Sequence, residues 1–236
     1  MSMRPRILAA VPTGPHIVVV GPIGGGKSTL VQALARELDA LPLLERFDES
    51  PYLSKFYQDP ARWAFHHTVF FAEQSLSDQY EAQARREFAV QERILYEHIW
   101  VFGAEFHSRA YLTDGDWSLL QRLAQDLCKM LKPIDLLIYI DVPPDEALHR
   151  LKVRQRQDEL AVTLDYMSGL ASRYENFVAG WSQSKVLRLA ADKYDFRKRE
   201  DVVLVAEEIR ASVDKRSHAA DSFARTTQLG EEHART

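Results

Sequence analysis

The sequence has a single cysteine, Cys128, in 236 residues. That excludes an internal disulfide framework and any metal site built from clustered thiolates. Cys128 falls in an apolar helical stretch, which suits a buried, inert thiol. No apolar run is long enough to span a bilayer, and the N-terminus lacks the apolar core of a signal peptide, so a cytoplasmic protein is expected. An excess of one charge is missing too. Thirty Lys and Arg against 34 Asp and Glu leave a formal net charge of −4, which gives nucleic acid or an acidic membrane no electrostatic footing. No internal repeat is visible. With 46% hydrophobic and 27% charged residues, the chain is long enough for one sizeable α/β domain and short for two.

Against that plain background, Gly21-Pro22-Ile23-Gly24-Gly25-Gly26-Lys27-Ser28 fits G-x-x-x-x-G-K-[ST] at every fixed position. The run before it, His16-Ile17-Val18-Val19-Val20, has the apolar, β-branched profile of a buried parallel strand. After it, Leu30, Val31, Leu34 and Leu38 recur at helical spacing. Strand, glycine turn and helix together make a phosphate cradle, because backbone N–H groups and the helix dipole converge on an anion at the helix start. Gly21, Ile23, Gly24, Gly25, Gly26, Lys27, Ser28 and Thr29 are therefore the candidate residues for a nucleoside triphosphate. Lys27 would reach the outer phosphates, and the Ser28 hydroxyl would help hold Mg²⁺.

Along the chain, residues 1–14 are expected to form a loose leader, and the polar stretch from 215 to 236 a disordered tail. Between them, at 15–214, strands are expected at 16–20, 43–45, 88–91, 136–142 and 186–189. Helices are expected after the glycine turn and at 51–57, 60–86, 94–108, 114–131, 163–180 and 202–213. A further helix is expected through His149, with Thr113-Asp114 capping the one at 114 and Pro143-Pro144 stopping the strand before it. Alternation of this kind implies an α/β fold with a parallel sheet covered by helices on both faces. Ligands then sit beyond the C-terminal strand ends, where Gly21, Glu45, Glu92 and Asp141 fall.

The stretches GPIGGGKST, ERFDESPYLSKFYQDPARWAF, QERILYEHIWVF, LLIYIDVPPDEALHRLKVRQRQDE and TLDYMSGLASRYENF, in that order, resemble the deoxynucleoside kinases, especially the bacterial deoxyadenosine, deoxyguanosine and deoxycytidine branch. The resemblance covers about 16–196 and implies a P-loop kinase fold with a five-stranded parallel sheet, ATP as phosphate donor, Mg²⁺, a small nucleoside acceptor and a homodimer. It places Glu45 as the base for the sugar 5′-hydroxyl, although Asp48 and Glu49 stand close enough to compete. It places Glu92 near the metal and Arg93 at the 5′-oxygen and phosphates, where a guanidinium spreads charge as one ammonium cannot. Arg150, Arg154 and Arg156 match a basic lid over the phosphates, within about 150–160. Glu159 and Tyr57 match the sugar clamp, Trp63 and Phe65 match walls of the nucleoside pocket, and Asp195-Phe196 matches a loop beside the adenine. The helices at 60–86 and 114–131 would supply the dimer interface.

This chain departs from the family where the base is read. Thr68 stands in place of the usual Gln, Ser75 in place of an Arg, and Ile94 and His98 in place of a small hydroxyl residue and an acid. Either the substrate is a different or modified nucleoside, or the match slips within the helix at 60–86. Two other readings stay open: a P-loop kinase for a non-nucleoside alcohol, and an ATP-binding regulatory protein that turns over poorly.

Overall fold

The computed structural model describes residues 14–156, 159 and 161–213. The expected leader up to 13, the expected tail from 215 and part of the lid fall outside them. Five strands form one parallel sheet in the order β2-β3-β1-β4-β5. Strand β1 (His16–Val20) pairs with β3 (Ala89–Glu92) on one side and β4 (Leu136–Asp141) on the other. Ile17 to Val20 and Leu136 to Ile140 are almost wholly buried, as expected for strands covered on both faces. The outer strands are β2 (Leu41–Leu43) and β5 (Lys185–Ala190).

The glycine turn leaves β1 at the centre of the sheet and enters α1 (Lys27–Leu38), whose Leu30, Val31, Leu34 and Leu38 are buried as their spacing requires. Gly26 caps this helix at φ 90°, and Gly24 lies at φ 79°. A Cβ on Gly24 would come 2.7 Å from the Ala147 carbonyl oxygen, so the turn needs glycine there for both reasons. Helix α2 is Leu53–Gln58, and α3, Pro60–Ala84, starts from an Asp59 cap. A helical run follows β3: α4 (Leu95–Glu97), a wide π-helical turn His98–Gly103, and α5 (Ala104–Ser108). Next come α6 (Asp114–Cys128), α7 (Pro144–Arg154), α8 (Leu164–Ala179) and a closing helix α9 at 199–213.

Several boundaries move for physical reasons. The second strand is Leu41–Leu43, two residues earlier than expected. Pro42 is tolerated within it because β2 is an edge strand. Glu45 thus lies in the segment just past the strand tip. Thr113 and Asp116 form a reciprocal capping box, so α6 begins at 114 as expected, but it ends at Cys128. Pro143-Pro144 ends the strand and also opens α7, with proline in the helix's first turn. Helix α3 buries Thr68, Gln74, Ser75, Asp78 and Gln79 among its apolar contacts. No helix among the described residues is long and apolar enough to cross a membrane.

Candidate active site

The glycine turn at the tip of β1 and the segments at the tips of β2 and β3 border a cavity of about 370 Å³. Its floor is the start of α1: Gly24, Gly26, Lys27, Ser28 and Thr29 line it, with Ile23 beside them. Gly25 N–H closes the turn on Pro22 O at 3.1 Å. Lys27 is buried and its Nζ donates to Pro22 O at 2.9 Å. Burial first, then the neighbouring Arg93 charge, lowers its ammonium to about 8 against the pull of Glu92, Glu97 and Glu45. Ser28 Oγ donates to Glu92 Oε1 at 3.0 Å. Burial raises the Glu92 carboxyl, and Lys27 opposes that shift.

Arg93 is the hub of the site. Its φ of 65° is left-handed, a conformation that costs a non-glycine residue roughly 1–3 kcal/mol. The guanidinium lies between the Glu45 carboxylate and the start of the glycine turn. Nε donates to Glu45 Oε2 at 2.8 Å, and Nη1 donates to Glu97 Oε1 at 2.8 Å and to Tyr174 Oη at 3.2 Å. The guanidinium also lies 4.7 Å from the centre of the Phe102 ring. Tyr174 Oη donates to Gly21 O at 2.6 Å and meets Glu97 Oε1, which accepts from Gly21 N–H at 3.3 Å. The phosphate turn, Arg93 and α8 are thereby tied into one buried network. Burial alone would raise the Glu45 carboxyl; the Arg93 charge, with that of Lys27, outweighs it and holds the group below the usual carboxylate range.

The opposite wall is aromatic. Phe56, Tyr57, Phe71, Phe102, Phe106 and Tyr166 line it, interrupted by His67, Thr68 and His98. The His67 ring stacks on Phe56 at 4.4 Å between centroids. His98 Nε2 is bonded to Ser75 Oγ at 2.9 Å. Arg150, Arg154, Arg156 and Glu159 border the mouth. Arg154 is paired with Glu159, Arg150 with Glu146 at 2.8 Å, and the Arg156 guanidinium lies 3.8 Å over Phe47.

The sequence-predicted residues do not all converge here. Trp63 and Phe65 are not among the cavity walls. Trp63 lies one turn nearer the start of α3, against Tyr52 and His66 and beneath Lys55 and Arg62. Phe65 meets His66 edge-on. Phe56, His67 and Phe71 stand on the wall instead. Asp195 also lies outside the cavity: Arg197 Nε and Nη2 hold its carboxylate at 2.8 and 2.9 Å and bring it down to about 2. Phe196 is buried against the outer side of Gly26. Ile94 is fully buried in the core, not at the cavity. Cys128 is half-buried, its thiol raised by burial. Glu97 and Tyr174 were not anticipated. Glu97 stands four residues beyond Arg93, but Arg93 lies before the helix at φ 65°, so the turn and not helical spacing brings the two together; Tyr174 carries no local signal.

Three imidazoles are held neutral: His16 and His98, which are buried, and His67, half-buried on the cavity wall. Burial lowers His67 to about 4, His98 to about 3 and His16 to about 4, the last against the hydrogen bond between its Nε2 and Gln91 Oε1 at 2.8 Å. The unfolded chain protonates them near the ordinary imidazole value of about 6.5. Below that pH it binds more protons than the folded protein, so stability falls with acid by about 1.4 kcal/mol per pH unit for each group. Denaturant midpoints are therefore expected to drop steeply from pH 6.5 to 4.5. In a His16→Gln variant the slope is expected to be shallower by about one histidine.

Comparison with known proteins agrees with this geometry. A deoxynucleoside kinase family model matches residues 17–214. The deoxyadenosine/deoxycytidine kinase of Bacillus subtilis is 31% identical over 195 residues, covering 82% of this chain and 90% of the relative. The deoxyguanosine kinase of Lactobacillus acidophilus is 32% identical over 208 residues, covering 84% and 90%. The solved deoxyadenosine kinase of M. mycoides, with the products dCMP and dCDP bound, superposes with a TM-score of 0.73 at 21% identity over 83% of this chain and 99% of that one. A glycine turn at the central strand, an arginine-held carboxylate beside it and a family match over most of the length agree: this chain belongs to the deoxynucleoside kinases and has their P-loop kinase fold.

Proposed function

We propose that the enzyme transfers the γ-phosphate of ATP to the 5′-hydroxyl of a deoxynucleoside or a modified nucleoside, giving the 5′-monophosphate. One observation carries the reading: the Glu45 carboxylate, held by Arg93, shares a cavity with Lys27 and the glycine turn. In this reading residues 15–214 act as one catalytic unit. Lys27, Arg93 and the lid residues Arg150, Arg154 and Arg156 offset phosphate charge, and Glu45 takes the hydroxyl proton. Tyr57 and Glu159 hold the sugar, and the base lies among Phe56, His67, Thr68, Phe71 and His98.

The oxygen pair Ser28 and Glu92 fits Mg²⁺, which takes one or two protein oxygens and otherwise uses phosphates and water. No cluster of three His, Cys, Asp or Glu suited to a metal occurs among the described residues, as that mode of binding allows. When bound, the ion would offset charge on the β- and γ-phosphates.

The relatives named above are kinases of different deoxynucleosides, so similarity alone does not choose the base. The test is ADP release with a panel of deoxynucleosides, ribonucleosides and base-modified analogues. Turnover with one or more nucleosides is expected. Activity with another alcohol alone would favour a non-nucleoside kinase, and none with any acceptor a regulatory ATP-binding protein.

The same reading makes the enzyme a cytoplasmic homodimer. Its support is the exposed apolar row Leu119 and Leu123 on α6, with Tyr80 exposed on α3. Light scattering is expected to give twice the chain mass, and Leu123→Asp to shift it toward the monomer. A monomeric wild type at micromolar concentration would overturn this.

A further inference from the structure

The ladder between β2 and β3 ends with Leu43 opposite Gln91. Beyond it the chain leaves the sheet, and the segment 44–46 that carries Glu45 has no strand beside it. A side chain takes the strand's place. Arg46 N–H donates to Gln74 Oε1 at 2.9 Å, and Gln74 Nε2 donates to Arg46 O at 3.3 Å. One amide thus satisfies both main-chain groups of the residue next to Glu45. One turn further along α3, Asp78 accepts from Arg46 Nη1 at 2.9 Å. Both Gln74 and Asp78 are buried, 5% and 4% exposed.

The clamp is itself anchored. Ser75, next to Gln74, has its carbonyl bonded to Gln91 Nε2 on β3 at 3.0 Å and its hydroxyl bonded to His98. That length of α3 is therefore pinned to both the sheet and the helical run after β3. Glu45 is held from two sides: its carboxylate by Arg93, and the main chain of the adjoining Arg46 by α3.

We propose that Gln74 is a positioning residue, setting where the Glu45 carboxylate stands relative to the acceptor hydroxyl. The inference rests on the reading of Glu45 as the base. A buried amide whose two hydrogen bonds go to the main chain of one residue adds only about 1 kcal/mol per bond to stability. Its effect on rate is larger, because a shift of about 1 Å in a reacting group can cost about 100-fold. No apolar residue can do the same: the Arg46 N–H needs the acceptor that Gln74 Oε1 supplies, while Arg46 O shares Gln74 Nε2 with the Glu49 N–H, which reaches it at 3.2 Å.

The experiment is a double-mutant cycle on the full chain, read by ADP release with the best deoxynucleoside of the panel. Gln74→Met keeps the volume and loses both bonds. It is expected to lower kcat about 10- to 100-fold while the KM for ATP stays within twofold. On the Glu45→Gln background the same substitution is expected to change kcat less than twofold, because it acts through Glu45 alone. An equal loss on both backgrounds, or no loss on the native one, overturns the proposal. Should Gln74→Met fail to fold, Asp78→Asn loosens the same segment; its smaller loss, about threefold, must also vanish beside Glu45→Gln. A wild type inactive with every nucleoside refutes the acceptor reading instead, and the cycle is then measured with the alcohol it does phosphorylate.

Discussion

Glu45→Gln is expected to lower kcat about 100- to 10,000-fold, the range typical for loss of a general base, with the KM for ATP nearly unchanged and the melting temperature within a few degrees of wild type. The amide keeps the size of the carboxylate and can still accept from Arg93 Nε, so the fold has little reason to respond. What is lost is the capacity to take a proton. Arg93 holds the Glu45 carboxyl below its ordinary range, which makes it a weak base. A weak base suffices because the acceptor hydroxyl gives up its proton late in a loose phosphoryl-transfer transition state. The same feature sets the pH profile. Glu45 is already ionised at mildly acidic pH, so its titration leaves kcat flat across neutral pH. Steady-state kinetics on the two proteins check both points. Turnover in the glutamine variant within threefold of wild type would remove Glu45 from the mechanism and return Asp48 and Glu49 to candidacy.

Much of this architecture is legible in the chain because its central elements have simple patterns. Ile17 to Val20 and Leu136 to Ile140 are continuous apolar runs, and both are buried strands beside the glycine turn. Edge strand β2 is harder to read, since Pro42 interrupts three residues whose pairing runs along one side only. Helix α3 conceals its role for another reason. Its buried face includes Thr68, Gln74, Ser75, Asp78 and Gln79, which hydrophobic periodicity does not mark as inward-facing, and it is the family resemblance that offers Trp63 and Phe65 as the pocket wall. Buried polar groups require partners, and those partners lie elsewhere in the chain: Arg46 for Gln74, Gln91 and His98 for Ser75. Arg93 and Tyr174 are 81 residues apart in sequence, and nothing local in either segment announces their contact. Pattern finds groups that serve themselves. Networks of polar groups need the fold.

Arg93→Met is expected to cost both activity and stability, and the stability loss carries a pH signature. Breaking a buried ion pair by removing one partner typically costs about 3–5 kcal/mol. Here the guanidinium serves two carboxylates. Glu45 borders the cavity and can regain water, but the Glu97 side chain is wholly buried. Burial already raises the Glu97 carboxyl, and the Arg93 charge is the chief influence against that. With methionine at 93, Glu97 keeps only Tyr174 Oη and the Gly21 N–H among its bonds, so its folded-state value rises further. An acid whose folded value is raised binds more protons folded than unfolded, and the stability it contributes falls as pH rises above the unfolded value of about 4.3. The variant's deficit relative to wild type is therefore largest near pH 8 and shrinks toward pH 5.5. Arg93 also helps to lower His67 and His98, so its loss eases their cost in acid and adds to the shrinkage below about pH 6.5; the change between pH 8 and 6.5 is the part that reports Glu97. Urea midpoints of the two proteins at these pH values test the argument. A deficit that stays constant would mean that Glu97 is not the charge left stranded, and that the tie between Gly21, Tyr174 and Arg93 rests on some other group.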